Sequence, residues 1–283
     1  MLSILIVNWN TRDDLRACLA SLRATCSDLS HEVIVVDNAS DDGSSDMVRA
    51  EFPTATLLAL DENTGYAAGN NRAYEAAQGE FVWLLNPDTV VLPDAARTLL
   101  DFLEAHPRCG AVASLLEDAR TGQPQQSCRR FPSPRALWCE ATGLARFFPR
   151  SRFLNGYRYG EWHHRTTRRV AQPMASSLLL RRSAIEASGG LFDLQFPIFF
   201  NDVDLCWRII HRGWHIWYCA DARVRHKGGA GTSQRRRAMI AESHRSLLAF
   251  YRQYYRARLS PLVYAATVLL VRASGWWRVR RAS

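Results

Sequence analysis

Phe81-Val82-Trp83-Leu84-Leu85-Asn86-Pro87-Asp88 joins a run of apolar residues to an amide, a proline and a carboxylate. A short apolar run without alternation reads as a strand buried on both faces, as in a parallel sheet. The same reading fits Ser3-Ile4-Leu5-Ile6-Val7, Glu32-Val33-Ile34-Val35-Val36 and Thr56-Leu57-Leu58-Ala59-Leu60. Helical patterns separate these runs. Asn10 or Thr11 caps a helix with Leu15, Leu19 and Leu22 on one face. A turn-rich stretch from Asn38 to Ser44 precedes a helix from about Ser45 to Glu51, and Gly69-Asn70-Asn71-Arg72-Ala73 opens another. Alternation at this spacing predicts an α/β, Rossmann-like doubly wound sheet. Such sheets bind ligands outside the carboxyl ends of their strands, and here those ends carry Asn8, Asp37 and Asn86-Pro87-Asp88. Carboxylates at two strand ends of one crevice mark it as the candidate site.

Between Thr121 and Pro173 the pattern loosens and arginines crowd, from Arg129 and Arg130 to Arg168 and Arg169, interleaved with Phe131, Trp138, Phe147, Phe148, Tyr157 and Trp162. Two readings are open: a solvated excursion over the sheet edge, or a surface that faces an acceptor or a membrane. Ala175 to Leu180 then reads as a strand, and Arg182 to Ala187 as a helix stopped by Gly189-Gly190. Asn201-Asp202-Val203-Asp204 starts a further helix behind an exposed-looking aromatic run, Phe196 to Phe200. Trp214 to Tyr218 is a late strand, and Val224-Arg225-His226-Lys227-Gly228-Gly229 a polar, glycine-rich exit. From Ser260 the character changes. Leu262 to Val271 is apolar but too short to span a bilayer before Arg272 interrupts it, and Trp276-Trp277-Arg278-Val279-Arg280-Arg281 follows. This tail suits either an interfacial segment or a helix docked on the domain with a basic end.

The composition, 47% hydrophobic and 22% charged over 283 residues, is that of a folded chain with a substantial core. Lys and Arg number 36 against 27 Asp and Glu, net +9, which suits anionic partners without choosing among them. Seven scattered cysteines without a CxxC pair, and no charged-then-apolar leader after Met1, predict reduced thiols, no zinc cluster and a cytoplasmic chain.

Group transfer from a nucleotide-activated donor makes three demands. The leaving diphosphate must be neutralised, for which a divalent cation on hard oxygen ligands serves. The attacking hydroxyl must lose a proton to a positioned carboxylate. The nucleotide must sit at a strand-end crevice. Asn86 and Asp88 are two apart, so an extended backbone would turn both to one side; as one amide and one carboxylate they hold a cation weakly, and His226 would add a nitrogen that Mn²⁺ accepts more readily than Mg²⁺. Asp202 and Asp204 also have an ordinary reading, as helix-start charges facing the dipole, which fits Asp204 better than Asp202.

Several motifs in order, over roughly residues 2 to 232, resemble the family 2 glycosyltransferases, and among them bacterial rhamnosyltransferase-like members. Ile4-Leu5-Ile6-Val7-Asn8-Trp9-Asn10 is similar to the family's opening strand and turn, Val35 to Ser44 to its nucleoside-binding segment, and Asn63-Thr64-Gly65-Tyr66-Ala67-Ala68-Gly69-Asn70-Asn71 to a donor-site loop. Leu84-Leu85-Asn86-Pro87-Asp88 resembles the variant metal motif, and Asn201-Asp202-Val203-Asp204-Leu205-Cys206-Trp207-Arg208 the acidic motif that supplies the catalytic base. The resemblance implies a GT-A fold with a mixed sheet, and inverting transfer by single displacement in cell-surface polysaccharide synthesis. It gives Asp202 the role of base and puts the donor on Asn8, Asn10, Asp37, Asn63, Gly65, Asn70, Asn86 and Asp88, with Asp37 at the nucleobase. The acceptor falls on Asn201, Trp207 and Arg208, and Mg²⁺ or Mn²⁺ on Asp88 and His226. The expected donor is dTDP-rhamnose or a UDP-sugar, and the acceptor a lipid-linked molecule or a glycan. On this reading residues 1–232 form the catalytic domain, 1–115 for donor and 116–232 for acceptor. Residues 233–283 form a C-terminal helical appendage in peripheral contact with the inner face of the cell membrane. The chain departs from the family where Asn201 replaces a usual glutamate, which keeps a second reading open: a degenerate relative that binds a nucleotide sugar or a partner without transfer.

Two other classes fit poorly. A dinucleotide-dependent oxidoreductase predicts G-x-G-x-x-G after the first strand, where this chain has Asn8-Trp9-Asn10-Thr11-Arg12-Asp13. The positive charge accompanies no nucleic-acid recognition motif, so no nucleic-acid partner is expected.

Overall fold

The computed structural model describes residues 1–228 and 236–281. The N-terminal part alternates β1 (Leu2–Asn8), α1 (Arg12–Thr25), β2 (His31–Asp37), α2 (Ser44–Glu51), β3 (Thr56–Ala59), α3 (Tyr66–Ala76) and β4 (Phe81–Leu85). It continues with β5 (Thr89–Val91), α4 (Ala95–Ala105) and β6 (Cys109–Asp118). The looser stretch holds β7 (Cys128–Arg129), α5 (Pro134–Ala141), α6 (Leu144–Phe147), β8 (Arg168–Arg169) and β9 (Gln172–Pro173). Then come β10 (Ser177–Arg181), α7 (Arg182–Ala187), α8 (Asn201–His211), β11 (His215–His226), α9 (Arg236–Tyr254) and α10 (Pro261–Arg281).

Among the described residues the main sheet runs β3-β2-β1-β4-β10-β6-β11-β5, with β8 on β11. Its first four strands are parallel, whereas β10 lies antiparallel to both β4 and β6. The expected mixed α/β sheet is therefore present. Alternate residues of the apolar strands point into two cores: Ile4, Ile6, Trp83 and Leu85 join α1 and α4 in one, while Leu5, Val7, Val82 and Leu84 meet α3 and α8 in the other. Burial on both faces is why these strands show no polar alternation.

Several local readings need correction. Ala95 to Asp118, a helix and a ten-residue strand, carried no distinct signal in the reading above. Helix α3 starts at Tyr66, three residues before the expected opening. Thr11 stands at the N-cap of α1 but donates to Asn8 Oδ1 at 2.6 Å, and the Arg12 N–H is satisfied by Asp42 at 2.8 Å. Val224 to His226 is the end of β11, paired with β5, and not an exit loop. Gly229, and the boundary between 232 and 233, lie outside the described residues.

The C-terminal helices are fastened to the domain. Phe250 and Tyr251 of α9 are buried among Phe131, Phe196 and Trp207, and Tyr251 donates to the Pro132 carbonyl. Phe196, which looked exposed in sequence, is fully buried in this cluster.

Candidate active site

The strand order puts β2, β1 and β4 side by side, and in-register pairing sets Asn8 directly beside Asp37. A cavity of about 670 Å³ opens there, lined by Asn8, Trp9, Asn38, Asn63, Gly65, Tyr66, Asn86, Asp88, Ser176, Asn201, Asp202 and His226, with Met239 of α9 also contributing. It has the size and strand-end position of a small-molecule site.

One side of the cavity is held by a network behind its wall. Buried Asp37 accepts from Asn8 Nδ2 at 2.8 Å, from Ser40 Oγ at 2.6 Å and from Ser45 Oγ at 2.8 Å. It stands behind the lining, and these bonds tie it to Asn8 and to the Ser40 turn. Asn10 lies outside the lining as well, in a left-handed turn with φ 51°, where its Oδ1 accepts from the Asp41 N–H. Asn70, also assigned to the donor, is buried and donates to the Tyr66 carbonyl. The residue that reaches the wall is Asn38. Its Oδ1 accepts from Thr64 and its Nδ2 donates to the Gly65 carbonyl at 3.0 Å, which ties the Asn63–Tyr66 loop to β2. Gly65 adopts φ +88°, a conformation that side chains rarely take.

Asp88 and His226 meet because β5 and β11 pair with His226 opposite Thr89. Asp88 sits in the turn between β4 and β5, not on extended backbone, so Asn86 and Asp88 reach the cavity separately. Asn86 is taken up by Tyr66 and Ser176, whereas Asp88 faces His226. Its Oδ1 is 3.4 Å from His226 Nε2, and its Oδ2 accepts from the Gly228 N–H at 3.0 Å. Burial alone would raise the Asp88 carboxyl, but the Gly228 N–H and, whenever its ring carries the second proton, His226 outweigh it and hold the group below its ordinary value.

A third residue sets the state of that pair. Gln125 Nε2 donates to the His226 carbonyl at 2.9 Å, which turns its Oε1 to the ring, 2.8 Å from Nδ1. Nδ1 is therefore the donor, and in the neutral ring Nε2 offers a lone pair to the cavity. Among the described residues that buried nitrogen has no hydrogen-bond partner. A lone pair facing a carboxylate oxygen suits a cation between them. Two ligands of one ion, each about 2.1 Å away, stand roughly 3 Å apart, so the pair fits a divalent metal. Among the described residues no group of three or more His, Cys, Asp or Glu converges, and the remaining positions would fall to a donor's phosphates or water.

Opposite this pair, α8 begins with a bulky residue in left-handed conformation, Phe200 at φ 68°. Such backbone is uncommon outside glycine and costs about 1 kcal/mol or more. Phe200 packs against Phe250 of α9, ring centroids 5.6 Å apart. The bend aims Asp202 into the cavity, where it accepts from the Val203 N–H at 2.8 Å and from Gln172 Nε2 at 3.3 Å. Burial pushes its carboxyl up to about 6, against the pull of the Val203 and Ala175 N–H groups and of the Arg129 charge. A carboxylate of that kind is mostly ionised at neutral pH yet basic enough to take a proton.

The other side chains of the acidic motif have partners within the fold. Asp204, read in sequence as a helix-start charge facing the dipole, does lie in the first turn of α8 but is fully buried and bonded to Arg208 Nε at 2.8 Å and Tyr254 at 2.5 Å. Arg208, expected at the acceptor, spends its other nitrogens on the carbonyls of Ser188, Gly190 and Leu191. Trp207, given the same role, is packed among Phe131, Phe250 and Tyr254. Neither lines the cavity. Asn201 does, but its amide is held by Ile198 and by the Asp202 N–H. Tyr66, Gln125, Gln172 and Ser176 were missed, because polar side chains of common type become visible only when distant segments converge.

Comparison with known proteins agrees with this geometry. A family model described as Glycosyl transferase family 2 matches residues 3–170. An N-acetylglucosaminyl-diphospho-decaprenol L-rhamnosyltransferase of Mycobacterium tuberculosis is 30% identical over 289 residues, covering 98% of this chain and 87% of the relative. A mannosyltransferase of Pyrobaculum calidifontis, solved with GDP-Man and Mn²⁺, superposes with a TM-score of 0.59 at 18% identity over 96% of this chain and 73% of its own. Residues 1–349 of S. aureus TarS, solved with UDP-GlcNAc, give 0.61 at 15% identity over 94% of this chain and 70% of that one. These two show the shared fold.

Proposed function

The chain belongs to glycosyl transferase family 2 and is a glycosyltransferase; from that premise we propose that it transfers rhamnose, with inversion and with metal assistance, from a nucleotide donor to a lipid-linked sugar acceptor. The observation that carries the mechanism is Asp202 facing one cavity with the Asp88–His226 pair. The near full-length relative, named for transfer of L-rhamnose to a diphospholipid-linked N-acetylglucosamine, supports dTDP-rhamnose over a UDP-sugar and a lipid-linked over a free glycan acceptor.

In this reading Asn8, Asn38 and the Asn63–Tyr66 loop hold the nucleotide, and Asp88 with His226 holds Mg²⁺ or Mn²⁺. Held there, such an ion would supply positive charge against the departing diphosphate. Asp202 accepts the proton of the acceptor hydroxyl while that oxygen bonds the anomeric carbon. The carbon–phosphate-oxygen bond breaks on the opposite side, so configuration inverts and the nucleoside diphosphate leaves. Residues 1–115 supply the donor side and 116–228 the acceptor side. Asn201 stands where the family usually has glutamate, and its bond to the Asp202 N–H keeps the base in place without a second carboxylate, which favours an active enzyme over a degenerate binder.

Calorimetric titration of dTDP-rhamnose and UDP-sugars, with and without Mn²⁺ or Mg²⁺, tests this directly. Metal-dependent binding of dTDP-rhamnose is expected, and Asp88→Ala should weaken it about tenfold or more. Binding of no nucleotide sugar in the presence of either metal overturns the reading.

A further inference from the structure

Helix α10 is apolar on two opposite faces, and only one of them is covered. Thr267, Val271 and Gly275 recur every four residues and are buried. Gly275 is needed there, since an added Cβ would lie 2.9 Å from the His244 ring of α9. This close approach fixes which side of α10 is docked. On the other side Leu262, Ala266, Leu269, Ala273 and Trp276 follow at intervals of four, three, four and three, within one narrow helical stripe. Leu262 is 84% exposed, Leu269 65% and Trp276 59%. Arg280 closes the stripe with its guanidinium 3.9 Å from the Trp276 ring centroid, and Arg281 stacks likewise on the exposed Trp277.

A second exposed apolar group follows α5, the helix that α10 contacts. Just beyond α5, Phe147 is 79% exposed and Phe153 62%, among the exposed Arg146, Arg150 and Arg152. Charge is distributed in the same sense in both segments. From Ser243 to the last residue there is no Asp or Glu, nor is there one from Ala141 to Gly160, while arginine recurs throughout.

We infer that α10 and the Leu144–Phe153 segment form a docking surface for an anionic lipid bilayer, with the Leu262–Trp276 stripe lying in the interface and the arginines on the headgroups. Exposed Leu, Trp and Phe favour the acyl boundary, stacked Arg–Trp pairs suit the headgroup level, and the absence of carboxylates removes repulsion from acidic lipids. No helix among the described residues is long and apolar enough to cross a membrane, so the mode is one of lying on the surface. A second copy of the chain is a poorer occupant, because pairing two such faces would set like charges against each other. The same hairpin lends Met239 to the cavity and holds α8 through Tyr254 and Asp204. Docking would therefore hold the cavity-bearing domain at the membrane where the proposed lipid-linked acceptor resides; that last consequence alone rests on the proposed function.

Flotation of the full chain with phosphatidylcholine vesicles, with and without phosphatidylglycerol, tests the surface. Binding is expected with phosphatidylglycerol and should be weaker by about tenfold without it. The double variant Leu269→Glu, Trp276→Glu should lose anionic-vesicle binding by about tenfold or more while keeping its thermal midpoint and its nucleotide-sugar binding. Failure of the wild-type chain to float with anionic vesicles overturns the inference, as does undiminished flotation of the double variant. A change from dimer to monomer in sedimentation, with flotation unchanged, would assign the face to a second copy instead. Donor binding measured on the same samples separates the two proposals: flotation without donor binding removes the proposed function, and donor binding without flotation removes the docking surface.

Discussion

Gln125 Oε1 lies 2.8 Å from His226 Nδ1, and this contact decides which nitrogen the imidazole turns toward Asp88. The two residues are far apart in sequence and meet because β11 runs parallel to β6 up to His226, where the chain following β6 folds back across it. Orientation by a second residue is the usual way a histidine ligand has its tautomer fixed. The outcomes below follow from this and two other relationships around the cavity.

Gln125→Leu removes the acceptor for Nδ1–H and frees the ring to present either tautomer. Its Mn²⁺ affinity in the presence of donor nucleotide should fall about 10- to 100-fold. Gln125→Glu keeps an acceptor for Nδ1–H while losing the donor to the His226 carbonyl, and should retain more of the affinity than the Leu variant. The measurement is Mn²⁺ binding by electron paramagnetic resonance. Equal affinities for the two variants would show that Gln125 does not act through the ring.

Asp202→Asn should lower the transfer rate by about 10²- to 10⁴-fold, as expected when a general base is removed, with donor affinity nearly unchanged. It should also stabilise the fold at neutral pH. Burial raises the Asp202 carboxyl from its ordinary 3.8 to about 6, so the folded chain binds a proton more tightly than the unfolded one. Wild-type stability should therefore decline as pH rises from about 4 through 6 and level off above, by an amount of ~1–3 kcal/mol. The Asn variant should lack that decline. Denaturant titrations at a series of pH values compare the two curves.

The same carboxyl predicts the rate profile. With proton abstraction by Asp202, kcat/KM should rise tenfold per pH unit on the acid side and flatten above a midpoint near 6. A profile flat down to the ordinary carboxylate range would remove Asp202 from that role.

How much of this was legible in the sequence depends on the range over which each feature is fixed. The buried strands were plain, since burial on both faces demands unbroken apolar runs such as Phe81–Leu85. Asp88 and Asp202 were legible as types at strand and helix ends. What sequence did not show was which carboxylates are consumed by the fold. Asp37 and Asp204 look as available as Asp88 and Asp202, yet Asn8, Ser40 and Ser45 occupy the one, and Arg208 and Tyr254 the other. Their partners come from other elements, and no local periodicity announces them. Arg208 is a case of the same kind: its carbonyl partners belong to the loop after α7. Trp207 belongs to the same motif, and its packing in the aromatic cluster with α9 is likewise invisible in the sequence.

Tyr254→Phe tests whether the C-terminal hairpin supports the base or only covers the domain. Tyr254 donates to Asp204 at 2.5 Å, and Asp204 is fully buried two residues beyond Asp202 on the same helix. Removing the hydroxyl leaves a buried carboxylate with Arg208 as its remaining side-chain partner, at a cost of about 1–3 kcal/mol. Burial already raises the Asp204 carboxyl, and Arg208 and Tyr254 act against that rise; with the Tyr254 donor gone, the group should take up a proton more readily. The variant should therefore lose most stability toward neutral pH, where the uncompensated charge persists, and least in acid, where protonation removes it. Its donor affinity should stay near the wild-type value, since Asn8, Asn38 and Asp88 are untouched. A fall in kcat at constant KM for the donor would show that the α9 contact holds the start of α8, and with it Asp202, in its working position. Unchanged kcat with lowered stability would confine Tyr254 to the fold.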